Sequence, residues 1–396
     1  MAETVQGVTA RPAWAGRAGP QGAVWSARYD PTITDAWWQA LARQPNPRVV
    51  VHGGYGKHNL GDDAILDVLL QQIRAQLPQA LISVLAHGPA FVHERYGLPA
   101  YHFSNLAALR QIRSADLYVI GGGGIVNRIN SYSGFQRLRI FDPKGKFLFL
   151  AAWLARASGA RVIFHSVGIT SFPDPLVRRL TLSAMKWADA LTVRDEASAR
   201  LLRAAGVTRE IPVIYDPAVR LMPASAARAE EILRAEGIDR NKPLVFVNFR
   251  PVTDPASDNG RTAQIAAHLV RRLIECYNLQ VAFFPFGRHP HKPIENDLTL
   301  LEAMRPQLNG LADFHVIEHE YTPAETKALL GLARACVLER LHAAILAVGM
   351  GVPVINVAYD DKTAAFMEMV SLSADVVPLA DFSVEAVERR LMTWLE

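Results

Sequence analysis

From Arg48 onward, short apolar runs alternate with longer stretches whose apolar positions recur at helical spacing. Arg48–His52, Leu81–Ala86, Leu117–Ile120, Val162–Ser166, Ala190–Val193 and Val213–Tyr215 are each short and nearly continuous in apolar residues, the pattern of strands buried on both faces. Between them, Asp62–Leu77 places Ile65, Leu66, Leu69, Leu70 and Ile73 on one helical face, and Lys146–Ser158 and Pro175–Ala188 predict two further helices. The alternation pauses at 217–242, where Pro223 precedes a charged helix at Ala224–Glu236, closed by Gly237 and Pro243. It then restarts. Leu244–Phe249, Gln280–Phe284, Phe314–Ile317, Cys336–Leu338, Val352–Val357 and Val376–Pro378 predict strands, with helices at Gly260–Tyr277, Glu295–Arg305, Pro323–Ala333 and Val384–Leu395. Alternating strands and helices at this spacing make parallel sheets covered on both faces. The chain therefore divides into an extension (1–46), an α/β domain (47–222), a linker (223–242) and a second α/β domain (243–396), with the site expected in the cleft between the two.

Composition changes this picture little. Half of the 396 residues are hydrophobic and a fifth charged, as in a globular protein. The longest strongly apolar run, Phe147–Ala155, is too short to span a bilayer, and the N-terminus shows no apolar secretory core, so a cytoplasmic location is expected. The net charge of +4 is dispersed, which favours anionic small molecules over nucleic acid. Eight of the 42 basic residues are lysines, so rigid arginine forks for anions predominate. Cys276 and Cys336 have no metal-ligand spacing, and His289 and His291 lack a third ligand nearby, so no metal is expected.

The chemistry-bearing positions cluster where strands end. After the first strand comes His52-Gly53-Gly54-Tyr55-Gly56-Lys57-His58-Asn59-Leu60-Gly61-Asp62-Asp63, a glycine-rich turn opening a helix, suited to an anion or to a simple cap. It is neither a dinucleotide fingerprint nor a Walker loop. Gly121–Gly124 follow a buried strand, and close approach of backbone to substrate explains four glycines better than a flexible loop mouth. Gly168 lies in a third strand-end turn, and Arg194 ends another strand just before Asp195 and Glu196. In the second half, Arg288, His289, His291 and Lys292 form a candidate rim. Glu339-Arg340-Leu341-His342 joins a strand to an apolar helix, and Tyr359-Asp360-Asp361-Lys362 ends the next strand. Arg340 and His342 converge only if Arg340 is still in the turn, because residues two apart on a helix do not share a face.

Five segments in register, Gly54–Leu66, Gly121–Gly124, Thr192–Glu196, Arg340–Ala343 and Tyr359–Lys362, together resemble the polysaccharide pyruvyl transferase family over roughly residues 48–372. The resemblance implies two Rossmann-like domains arranged as in GT-B glycosyltransferases. It implies phosphoenolpyruvate as donor, no cofactor, and a sugar of a polysaccharide or lipid-linked glycan as acceptor, with peripheral contact at the inner membrane through that acceptor. By the same similarity Arg340 and His342 are the expected catalytic residues. Arg194, Lys362, Leu341, Tyr359, Asn59, Gly61, Asp62, Gly122, Gly123 and Gly168 are the expected substrate-binding positions. The competing expectation on the same scaffold is a nucleotide-sugar glycosyltransferase. One departure from the family pattern is Glu339, an acid beside the Arg-Leu-His triplet that would partly offset a cationic pocket.

Overall fold

The computed structural model describes residues 36–126, 146–172, 175–252 and 257–395. The first half comprises α1 (Ala36–Ala42), β1 (Arg48–His52), α2 (Leu60–Gln76), β2 (Leu81–Ala86), α3 (Pro89–Tyr96), β3 (Ala100–His102), α4 (Leu106–Arg113), β4 (Leu117–Val126), α5 (Lys146–Ala157), β5 (Arg161–Ile169), α6 (Pro175–Trp187), β6 (Ala190–Val193) and α7 (Glu196–Ala204). A 3-10 turn at Pro217–Arg220 and helix α8 (Ala226–Ala235) lead to the second half. This holds β7 (Leu244–Asn248), α9 (Asn259–Tyr277), β8 (Gln280–Phe283), α10 (Leu298–Leu308), β9 (Phe314–Val316), α11 (Pro323–Leu330), β10 (Ala335–Leu338), α12 (Leu341–Gly349), β11 (Val354–Ala358), α13 (Asp361–Met369), β12 (Val376–Pro378) and α14 (Val384–Leu395).

Each half builds one parallel six-stranded sheet. The strand orders are β3-β2-β1-β4-β5-β6 and β12-β11-β10-β7-β8-β9, the same doubly wound order twice. In such sheets the strand order reverses beside the first strand, and the crevice at that point collects ligands. Here the reversals fall between β1 and β4 and between β7 and β10. These are the strand ends that carry Gly53–Asn59 and Glu339–His342, so both sheets present their ligand-collecting edge to the cleft between the halves.

Two differences from the sequence reading bear on the site. First, the glycine run is strand and not loop. β4 continues through Gly121, Gly123 and Gly124, paired with His165, Val167 and Gly168 of β5. The reason is steric. A Cβ on Gly121 would run into the Tyr55 hydroxyl and Leu69, and one on Gly122 would lie 3.2 Å from Ile65. The glycines let α2 and its preceding loop close onto the sheet. Second, Val213–Tyr215 is not a strand of the sheet; Val213 makes only an isolated bridge to Val193. Of residues 223–242, α8 packs on α11, fixed by Ala224 N–H donating to Ala324 O (2.9 Å) and by the Arg228–Glu325 ion pair (2.8 Å).

The halves are stitched together beside the site. Leu60 N–H donates to Phe286 O (3.1 Å) and Arg288 N–H to His58 O (3.0 Å), around an antiparallel bridge between Asn59 and Gly287. The crossing segment is held by Lys327, whose buried Nζ donates to Val219 O at 2.7 Å.

Candidate active site

The site centres on a residue that the sequence did not single out. Asp216 ends the first half just before the 3-10 turn, and its Oδ1 accepts from Ala218 N–H at 3.1 Å. Its Oδ2 lies 3.5 Å from Arg194 Nη1 and 3.5 Å from His342 Nε2. Neither Oδ2 nor His342 Nε2 has a hydrogen bond within the described residues, and both are buried. The two atoms face each other, and Asp216 Oδ2 also faces the Arg194 guanidinium, at ion-pair distances of 3.5 Å, longer than good hydrogen bonds. Burial would raise the Asp216 carboxyl, but His342, Arg194 and the Ala218 N–H together outweigh it and hold it below its ordinary value. Asp216 is thus an ionised carboxylate facing the His342 ring.

Two glycines make this packing possible. A Cβ on Gly168 would lie 2.5 Å from Arg194 Nε, and one on Gly61 would run into the His342 ring at Nδ1. At Gly168 and Gly61 the backbone approaches the side chains of the site this closely because no Cβ intervenes.

On the other side of Asp216 is a small pocket lined by Arg194, Asp195, Asp216, Leu341, Ile345, Lys362, Phe366 and Met369. Lys362 comes from the start of α13, where Asp360 caps the helix and its Oδ2 lies 3.5 Å from the Lys362 ammonium. Burial lowers the lysine, and the charges of Arg194 and Arg250 lower it further, against the pull of Asp360. Cations from both halves thus crowd one space, and an incoming anion would relieve their repulsion.

Arg340 points elsewhere. It caps α12 with an extended backbone, and its Nε donates to both carboxylate oxygens of Asp297 at 2.9 and 3.0 Å, with Nη2 adding a further bond to Oδ1. Asp297 is fully buried and also accepts from Asn248 Nδ2 (2.9 Å), Phe286 N–H (2.9 Å) and Gly287 N–H (3.2 Å). Arg340 therefore fastens the loop after β8 to the N-terminus of α12, and the fork expected to meet the donor is engaged by Asp297. The extended cap is why Arg340 and His342 diverge although only Leu341 separates them.

Glu339 does not offset the cations either. It is fully buried, its Oε2 accepts from Arg250 N–H at 3.0 Å, and burial pushes its carboxyl up to about 8. It is neutral at pH 7. Arg250, at the end of β7, stands over the Tyr359 ring at 5.1 Å and donates to the Tyr359 hydroxyl at 3.3 Å. It supplies a third cation near Lys362 that the sequence reading passed over.

The remaining expected positions sit at the mouth of α2. Asn59 caps the helix by accepting from Gly61 N–H (3.2 Å), and its Nδ2 donates to Asp62 Oδ2 at 2.9 Å. Gly54 and Gly123 flank the Asp62 carboxylate; a Cβ on either would come within 3.3–3.4 Å of its oxygens. Gly122 lies behind, against Ile65. His165 is buried, and burial drops its imidazole to about 4, so it is neutral.

The structure thus brings together Arg194, His342, Lys362, Leu341, Gly61, Gly168 and Asp62, and adds Asp216 and Arg250. Signals for the two additions existed. Arg250 ends a buried strand as Arg194 does, and Asp216 precedes a proline in an abrupt turn after an apolar run. Asp297 carried no such signal, because its partner lies 43 residues away in sequence. Among the described residues, no three potential ligands group to hold a metal, and no helix is long and apolar enough to cross a membrane.

Solved structures with this arrangement include ADP-heptose LPS heptosyltransferase II from E. coli (15% identity, 88% of this chain and 98% of that one, TM-score 0.52). A UDP-GlcNAc 2-epimerase from Methanocaldococcus jannaschii (14%, 88% and 91%, TM-score 0.55) is also similar. So is a putative UDP-N-acetylglucosamine 2-epimerase from Listeria monocytogenes (14%, 88% and 88%, TM-score 0.58). At these identities the likeness establishes the two-domain GT-B-like fold alone. The sequence itself is more specific: the polysaccharide pyruvyl transferase family model matches residues 59–361, from the cap of α2 to the start of α13, and the chain belongs to that family.

Proposed function

We propose that the protein transfers the pyruvyl group of phosphoenolpyruvate to two hydroxyls of one sugar, forming a cyclic ketal and releasing phosphate. The observation that carries this reading is the facing pair Asp216 Oδ2 and His342 Nε2, 3.5 Å apart, beside a pocket where Arg194 and Lys362 converge from opposite halves. A donor bearing both a carboxylate and a phosphate needs two cations on separate supports. Arg194 offers a planar fork to one group and Lys362 a point charge to the other, with Arg250 nearby. His342 Nε2 faces the Asp216 carboxylate at 3.5 Å, and an imidazolium at that position can deliver a proton to C3 of the enol phosphate. The resulting positive charge at C2 is captured by a sugar hydroxyl. Arg194 and Lys362 then stabilise the departing phosphate. The scheme uses no metal and no cofactor. The acceptor is a polysaccharide or lipid-linked oligosaccharide, and a lipid-linked one would hold the protein at the cytoplasmic face of the inner membrane.

Incubation with phosphoenolpyruvate and a panel of bacterial glycans tests this. Phosphate release should require both donor and acceptor, and the product should gain the mass of a pyruvate ketal. His342→Ala should lower turnover by roughly 10²–10⁴-fold while phosphoenolpyruvate still raises the melting temperature. Stabilisation by a nucleoside diphosphate and not by phosphoenolpyruvate would instead support a nucleotide-sugar glycosyltransferase.

A further inference from the structure

Ketal formation moves two protons. Both sugar hydroxyls lose theirs; one proton ends on C3 of the donor, which becomes a methyl group, and one leaves on the phosphate. When the first hydroxyl attacks C2, an acid must already be giving a proton to C3 while a base takes the hydroxyl proton. One imidazole cannot do both in the same step.

A second group stands beside His342. Asp62 opens α2 next to Gly61, whose Cα lies against the His342 ring. Its Oδ2 is held by Asn59 Nδ2 at 2.9 Å, which fixes the carboxylate plane. Its oxygens are flanked by Gly54 and by Gly123, whose φ of +87° places it in the left-handed region. Glycine is favoured there on backbone grounds, and with no side chain at either position a substrate can approach the carboxylate closely. Asp62 is only part-buried, whereas Asp216 is 2% exposed and enclosed between Arg194 and His342. The charged groups acting on Asp62 are His342 from α12, Lys57 from its own loop, Asp216 from the crossing segment and Arg194 from the end of β6.

We infer that Asp62 is the base that takes the proton of the attacking sugar hydroxyl, while His342 is the acid that protonates C3. This rests on the pyruvyl-transfer reading. In the first step the hydroxyl oxygen bonds to C2, its proton passes to Asp62, and the C2–C3 double-bond electrons take a proton from His342. In the second, the C2–O bond to phosphate breaks and the protonated Asp62 returns its proton to the leaving phosphate. The second hydroxyl bonds to C2, and its proton restores His342. Both groups end as they began, and the two hydroxyl protons are accounted for.

Asp62→Asn keeps the shape and the contact to Asn59. It should leave the stabilisation by phosphoenolpyruvate intact but lower acceptor-dependent phosphate release by roughly 10²–10⁴-fold. The wild-type protein should show an acid limb in kcat/KM for the acceptor, this limb should vanish from the residual activity, and Asp62→Glu should recover part of the rate. If Asp62→Asn does not fold, Asp62→Ser carries the same expectations. Near-normal turnover, an unchanged acid limb, or loss of phosphoenolpyruvate binding together with turnover would each overturn the assignment. Wild-type protein that releases no phosphate with any acceptor would instead sink the underlying reading, and this inference with it.

Discussion

Glu339 shows what burial does to a single side chain here. Its carboxyl is fully enclosed and pushed up to about 8, mainly by desolvation, with the Arg250 N–H and the charges of Arg250 and Arg340 opposing and Asp297 adding to the rise. The sign of the consequence follows from linkage. The unfolded chain releases this proton near the ordinary carboxylate value of 4.5, and the folded protein keeps it until about pH 8. The folded form therefore binds more protons in between, and stability falls as pH rises from about 4.5 to 8. The loss amounts to a few kcal/mol at most. Glu339→Gln retains an oxygen for the Arg250 N–H and cannot ionise. The variant should melt at a higher temperature than wild type at pH 9, with a smaller gain at pH 5. An equal gain at both values would mean that the carboxyl is not held neutral.

At the scale of elements, the two sheets were legible because doubly covered parallel strands are written as continuous apolar runs, and eleven of the twelve strands among the described residues fall on runs read that way. The failures are equally physical. β3 is three residues, Ala100–His102, half-buried at the sheet edge, and too short to carry a pattern. β4 was read as ending at Ile120 because glycine has no side chain to report burial, yet pairing with β5 continues beyond it. The site was legible where chemistry sits on a strand end, as with Arg194, His342 and Lys362. It was not legible where the partner is distant, as with Asp297 for Arg340. The glycine run offers a test of its structural reading. Gly121→Ala would press a methyl group on the Tyr55 hydroxyl and Leu69, both held by the closely packed α2 region. Overpacking of this kind costs about 1–3 kcal/mol. Denaturant unfolding should show a loss of that size, with the slope unchanged; a neutral result would mean that Gly121 is not needed to make room for Tyr55 and Leu69.

The whole molecule is less divided than its two sheets suggest. One hydrophobic cluster includes Val49, Ile65 and Leu69 of the first half together with Phe246, Leu338 and Leu346 of the second. α2 packs directly on α11 and α12, and the 3-10 turn that carries the chain across packs on α2 and α12. The backbone stitches at His58–Leu60 with Phe286–Arg288, and the Lys327–Val219 bond, close the same interface from two sides. Separating the halves would expose this shared core, and at about 25 cal/mol per Å² of apolar surface neither half could open alone without losing much of its stability. Calorimetry should therefore show one unfolding transition, with calorimetric and van't Hoff enthalpies in agreement. Because Arg194 and Lys362 come from different halves, saturating phosphoenolpyruvate should move that single transition up by a few degrees as a unit. Two resolved peaks, only one of them shifted by the ligand, would show that the halves fold independently and that the donor is held by one of them alone.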